Sequence, residues 1–141
     1  SKGSITAFYT VLVEDEETAD PVGEEVRSIL DGHLVLSRKL AAANHYPAID
    51  VLHSVSRVMD RIVPDEHRRA AGMARKLLAK HRDLEVLLQM GEYQPGADAL
   101  ADAAIACAPR LQEHLRQGTN ENPTFADSIA SLQRSIVAPG T

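Results

Sequence analysis

Residues 64–91, PDEHRRAAGMARKLLAKHRDLEVLLQMG, decide the architecture. Ala70, Met73, Ala74, Leu77, Leu78 and His81 fall at positions i, i+3, i+4, i+7, i+8 and i+11, which lays a single stripe along a helix. Asp65 stands where an N-cap belongs, Asp83 to Met90 continue the helix, and Gly91 ends it. The same grammar continues downstream. Glu92-Tyr93-Gln94-Pro95-Gly96 is a turn, and Asp98 caps a helix over Ala99–Ala106. Pro109 is expected to break or kink that run, and a further helix reaches Gln117-Gly118. Asn120 to Pro123 is a linker. Thr124, with Asp127 three residues on, resembles a capping box that opens a last helix to about Val137. Residues 63–141 read as a small helical bundle.

Upstream of Pro64 the character is different. Ser4-Ile5-Thr6-Ala7-Phe8-Tyr9-Thr10-Val11-Leu12-Val13 is nearly all apolar and rich in β-branched and aromatic residues, the pattern of a strand buried on both faces. The acidic run from Glu14 to Asp20-Pro21 ends it as a loop. Glu24 to Leu30 is a short helix closed by Asp31-Gly32, and His33 to Leu36 is a second strand. Ser37 caps a helix over Arg38–Ala43, which stops before Asn44-His45-Tyr46-Pro47. Ala48 to Leu52 is extended, and Ser54 to Arg57 reads as a loop. Strand–helix–strand alternation is the grammar of an α/β sheet, but so few strands make an incomplete one. The expected fold is therefore α+β and mainly α, with residues 1–62 forming the tail of an α/β core.

Composition narrows the classes. The chain has 141 residues, 44% hydrophobic but only 4% aromatic, so its core must be mostly Leu, Val, Ile and Ala. One cysteine, Cys107, excludes an internal disulfide and fits a reducing compartment. No apolar run approaches the ~20 residues that span a bilayer, and Ser1-Lys2-Gly3-Ser4 does not open a signal peptide. Charge is unevenly spread: net −6 over residues 1–31, +6 over 32–82 and −5 over 83–141. A basic belt between acidic ends suits phosphates, anionic lipid or an acidic neighbour, and equally a solvated helix face. Nucleic-acid binding by Arg57–Arg82 is disfavoured, because no aromatics interleave the basic residues.

Motifs for chemistry are absent. There is no G-x-x-x-x-G-K-[ST], no G-x-G-x-x-G and no H-E-x-x-H. The six histidines, at 33, 45, 53, 67, 81 and 114, lack the paired spacing of a metal site, so no metal ligands are assigned. Cys107 lies in an Ala-rich helix without a His or Lys to activate it, as a small core residue does. Two polar positions stand out. Tyr46 precedes Pro47 in a helix-to-strand turn that would hold its ring; the plain alternative is core with a polar tip. Arg57, in Ser54-Val55-Ser56-Arg57-Val58, would present a guanidinium to a neighbouring molecule; the alternative is a salt bridge at the surface or between domains.

Long segments of the chain resemble the type III secretion system ATPases, the injectisome and flagellar export family related to the rotary ATP synthase α and β subunits. They are Gly3–Leu12, Ser28-Ile29-Leu30-Asp31-Gly32-His33-Leu34-Val35-Leu36-Ser37-Arg38 and His45-Tyr46-Pro47-Ala48-Ile49-Asp50. Ser54-Val55-Ser56-Arg57 is similar to the arginine-finger segment of that superfamily. Gly91–Gly96 with Asp98, Asp102 and Ala104-Ile105 resembles injectisome members more than flagellar ones.

The resemblance implies a C-terminal part of the enzyme: a remnant of a P-loop (RecA-like) α/β domain, then a helical domain. The β-barrel, P-loop and Walker B strand would precede it. By the same resemblance Tyr46 stacks on the adenine of its own subunit's ATP, and Arg57 reaches the γ-phosphate held by the adjacent subunit of a homohexamer. ATP and Mg²⁺ are the implied cofactors of the full enzyme, a protein-secreting ATPase; the chain alone would be inactive. Implied partners are a central stalk protein, a stator or regulator protein and chaperone–effector complexes. Its place would be cytoplasmic, at the periphery of the inner-membrane export apparatus. The competing reading is a non-catalytic helical module that binds stalk or chaperone–substrate complexes.

Overall fold

The computed structural model describes residues 3–12 and 21–138. In chain order the elements are α1 (Pro21–Ile29), β1 (Gly32–Leu36), α2 (Arg38–Ala42), β2 (Ile49–Ser56), α3 (Met59–Ile62), α4 (Asp65–Met90), α5 (Ala99–Leu115) and α6 (Phe125–Ser135). The architecture is α+β and mainly α, a small sheet followed by three packed helices.

The sheet departs from the expected one. β1 and β2 pair antiparallel, with Gly32 opposite Ser56 and Leu36 opposite Ile49. The predicted strand over Ser4–Val13 does not form: residues 4–12 carry no regular structure, and Ile5, Phe8 and Leu12 are exposed, while Val13 lies outside the described residues. A strand buried on both faces needs a sheet to join and elements packed over each face, and the two strands described pair with each other instead.

The expected loop at Ser54–Arg57 is also corrected, because β2 runs through to Ser56. Its register jumps between His33 and Val35, leaving residues 51–54 bulged. Side chains replace the missing ladder there. Asp50 Oδ1 accepts from the Leu52 and His53 amides, and Ser54 Oγ accepts from Val35 N–H at 2.9 Å while donating to the Asp50 carbonyl at 2.6 Å. Burial acts to raise the Asp50 pKa, but hydrogen bonds from His53 override it and hold the carboxyl below its ordinary value.

The bundle follows its caps. Ser37 caps α2 by accepting from Leu40 N–H, Asp98 caps α5 by accepting from Leu100 and Ala101, and Thr124 caps α6 by accepting from Asp127. Gly91, at φ 70°, closes α4 in the left-handed region. Asp65 is not the cap of α4. Pro64 takes that position, and the Asp65 carboxylate pairs with Arg68. Nor does Pro109 end α5, which runs on to Leu115; α6 stops at Ser135, short of Val137.

Ala74 and Leu77 of α4 meet Ala104, Cys107 and Leu111 of α5, with Leu132 and Ile136 packed from the α6 side. Among the described residues the buried core holds Ala, Leu and Cys107 but no Val or Ile, so those two β-branched types do not supply it as expected. Small residues on α5 let the helix backbones approach closely, and the leucines fill what space is left.

Gly72 sits on the exposed face of α4, where a Cβ would meet nothing within 4 Å. Gly72→Ala is expected to raise stability by about 0.5–1 kcal/mol through the unfolded chain. Thermal melting should show it as a Tm increase of roughly 2–4 °C.

Candidate functional site: Tyr46, Arg57 and the groove beside α5

Tyr46 stands on a turn pinned from both sides. Asn44 enters the left-handed region at φ 53°, His45 N–H donates to Leu40 O at 2.9 Å, and Ser37 N–H donates to Ala48 O at 2.8 Å. The Tyr46–Pro47 peptide is cis. From the far side, Gln117 N–H, just beyond α5, donates to the Tyr46 carbonyl at 2.8 Å. Tyr46 as a whole is 53% exposed, so it is not core. It borders an open groove of about 740 Å³ whose other wall is built by Gln112, Glu113, Arg116, Gln117, Gly118, Thr119 and Glu121. That volume lies within the range of small-molecule sites.

Arg57 sits at the other end of β2. Its amide donates to Asp31 O at 2.8 Å. Its guanidinium reaches the last turn of α1, Nη1 to Ser28 O and Nη2 to Arg27 O, both at 3.1 Å. Helix C-terminal carbonyls lack partners and carry the negative end of the helix dipole, which suits a cation. Gly32 permits this arrangement, since a Cβ there would lie 2.5 Å from Val55 O. Among the described residues Arg57 makes no ion pair. Its charge rests on neutral carbonyls.

Several other titratable groups serve the scaffold. Asp98 is held below its ordinary pKa first by the Lys80 ammonium at 2.7 Å and then by the α5 amides it caps. Partial burial and the Asp102 carboxylate, which accepts from Tyr93 Oη at 2.7 Å, push the Tyr93 phenol up to about 12. Burial lowers the His114 pKa beside Ser131. Cys107 is fully buried. Of the basic belt, Arg75 donates to Ser54 O and Arg68 to Asp60 O, so both serve as struts. Among the described residues no three His, Cys, Asp or Glu come together as metal ligands, and no helix is long and apolar enough to cross a membrane.

Residues 63–134 match the family described as T3SS EscN ATPase C-terminal domain. The chain belongs to this family. Residues 1–56 match the nucleotide-binding domain of the ATP synthase alpha/beta family. A type 3 secretion system ATPase from Xanthomonas euvesicatoria is 55% identical over 130 residues, 92% of this chain and 29% of that protein. The chain thus spans under a third of the length of this curated relative. Assembled EscN, the type III secretion ATPase of enteropathogenic E. coli, superposes with TM-score 0.91 at 48% identity, covering 96% of this chain and 33% of EscN. EscN in complex with its central stalk EscO aligns at TM-score 0.78 and 45% identity, over 83% of this chain and 29% of that one.

Sequence reasoning singled out Tyr46 and Arg57, and the two stand at opposite ends of the segment that carries β2. It missed the 116–121 turn, which brings the bundle onto Tyr46. The one signal was Gly118, read only as a helix end.

Proposed function

We propose that this type III secretion ATPase chain supplies two parts of an ATP-hydrolysing site that is completed between subunits of a ring, by family a homohexamer. Tyr46 is the platform for adenine, and Arg57 is an arginine finger for the γ-phosphate of the adjacent subunit. The observation that carries the reading is the state of Arg57: exposed, placed by backbone bonds and, among the described residues, without a carboxylate to neutralise it. A guanidinium in that state keeps its full charge for phosphate oxygens, which its planar fork contacts in pairs. As negative charge develops on the transferring phosphoryl group, such a contact strengthens, and the barrier falls.

For Tyr46 the support is its exposure beside a groove of suitable size, with its backbone fixed on both sides. Mg²⁺, when bound, neutralises charge between the phosphates. The described residues offer no cluster to hold it, so this reading assigns phosphate and metal to the nucleotide-binding part beyond them. Residues 1–62 are then the tail of the RecA-like core and 63–141 the helical domain, in a protein that works in the cytoplasm against the inner-membrane export apparatus.

Tyr46→Ala in the full-length ATPase is expected to raise KM for ATP about tenfold, the worth of one base–aromatic stack. Steady-state kinetics at varied Mg-ATP tests this, and an unchanged KM would remove Tyr46 from the site.

A second reading, the interaction module, is compatible with the first and has its own observation. Val86, Leu87 and Met90 are exposed together at the end of α4, an apolar tip suited to a partner. EscN is known in complex with its central stalk EscO, and a stalk protein is the partner we assign to this tip. Stator or regulator proteins and chaperone–effector complexes would use the same helical domain, with injectisome rather than flagellar cargo.

A further inference from the structure

We infer that Glu121 is a positioning residue for the nucleotide base, acting through Gln117 on Tyr46. The inference rests on the reading of Tyr46 as the adenine platform. The turn that follows α5 is closed on itself by three bonds around Glu121. Gly118 N–H donates to Glu121 Oε2 at 3.1 Å, Glu121 N–H returns to Gly118 O at 3.0 Å, and Gln117 Nε2 donates to Glu121 O at 2.9 Å. The Glu121 carboxylate lies directly over Gly118, where a Cβ would stand in ordinary contact with it at 3.4 Å. The carboxylate therefore lies folded back over the glycine and accepts a charge-assisted hydrogen bond from the Gly118 amide.

This closed turn is what holds Gln117, whose own N–H reaches Tyr46 O at 2.8 Å. Tyr46 and the turn form facing walls of one groove, yet they are far apart in sequence and belong to different parts of the fold. The chain Glu121–Gly118–Gln117–Tyr46 fixes the width between them. If the turn opens, Tyr46 loses its restraint from the bundle side, and a base in the groove loses its fixed platform. On this reading Tyr46, Gln117, Gly118 and Glu121 border the base alone. The turn thus acts on the base and not on the triphosphate.

The test uses the full-length ATPase, with Mg-ATP and inorganic triphosphate as probes. Glu121→Ala is expected to raise KM for ATP roughly three- to tenfold, the worth of one hydrogen bond, with kcat at saturating ATP retained and inhibition by triphosphate unaltered. Glu121→Gln keeps an oxygen for the Gly118 amide and is expected to retain the parental KM. The double variant Tyr46→Ala/Glu121→Ala should be no worse than Tyr46→Ala alone, because Glu121 acts through Tyr46. Loss of triphosphate inhibition in parallel with ATP affinity would overturn the inference, as would a fall in kcat at constant KM, the mark of an interaction made only in the transition state. If Tyr46→Ala raises KM and Glu121→Ala does not, the inference fails alone. If neither does, the platform reading fails with it.

Discussion

Arg57→Ala in the full-length ATPase is expected to lower kcat by about 10³–10⁵ while the affinity of each subunit for ATP stays near its starting value. Arg57→Lys should be almost as inactive, because a compact ammonium on a flexible stem cannot reproduce the planar fork. The structure supplies an internal control for this result. Arg57 also binds the carbonyls of Arg27 and Ser28, so its removal exposes the last turn of α1. That loss is worth on the order of 1 kcal/mol, which is far too little to explain a thousandfold fall in turnover. Melting curves measured beside kinetics separate the two effects. A drop in activity that follows the drop in Tm would make Arg57 a helix-capping residue and nothing more.

The largest stability effect is expected in the bundle. Leu111 is 1% exposed and lies against Ala74, Leu77, Ala104 and Cys107 where α4, α5 and α6 converge. Leu111→Ala should cost about 2–5 kcal/mol, the transfer of its side chain plus the cavity left behind. Ala74, Ala104 and Cys107 have no long side chain to swing into the gap, so its closure depends on Leu77 and the leucines packed around the cluster. Leu111→Met, which nearly conserves volume, should cost less than about 1.5 kcal/mol. Urea unfolding checks both, as a shift in midpoint with an unchanged slope. A Leu111→Ala midpoint close to the parental one would mean that this cluster is not the core.

The helices were legible for a physical reason. Their caps and their apolar periodicity are local, so Ser37, Gly91, Asp98 and Thr124 announce boundaries that the backbone then honours. The sheet was not, because pairing is non-local. The Ser4–Val13 segment has the composition of a buried strand, but whether it joins a sheet depends on partners that its own residues do not reveal. β2 hid for another reason. Its bulge is built from Asp50 and Ser54 side chains that mimic loop chemistry, so a strand with a defect read as a strand followed by a loop. Asp65 misled through proximity, since one residue earlier Pro64 fills the cap position and frees its carboxylate for Arg68.

The site divides along the same line. Tyr46 and Arg57 were visible as residues whose chemistry exceeded their surroundings, and the family resemblance gave them roles. What holds them was not visible. The carbonyls of α1 under Arg57, and the Gln117 amide on Tyr46, are backbone groups brought together by folding, and no side-chain pattern encodes them.

The central claim is that Arg57 completes a neighbour's site, and subunit mixing tests it most directly. Arg57→Ala subunits keep an intact phosphate site but lack the finger, whereas subunits with a disabled phosphate-binding loop keep the finger. Each preparation alone should be inactive. In rings shown by mass measurement to contain both, some interfaces place an intact phosphate site beside an intact Arg57, and ATP hydrolysis should return at those interfaces. Mixed, fully assembled rings that stay inactive would contradict the account.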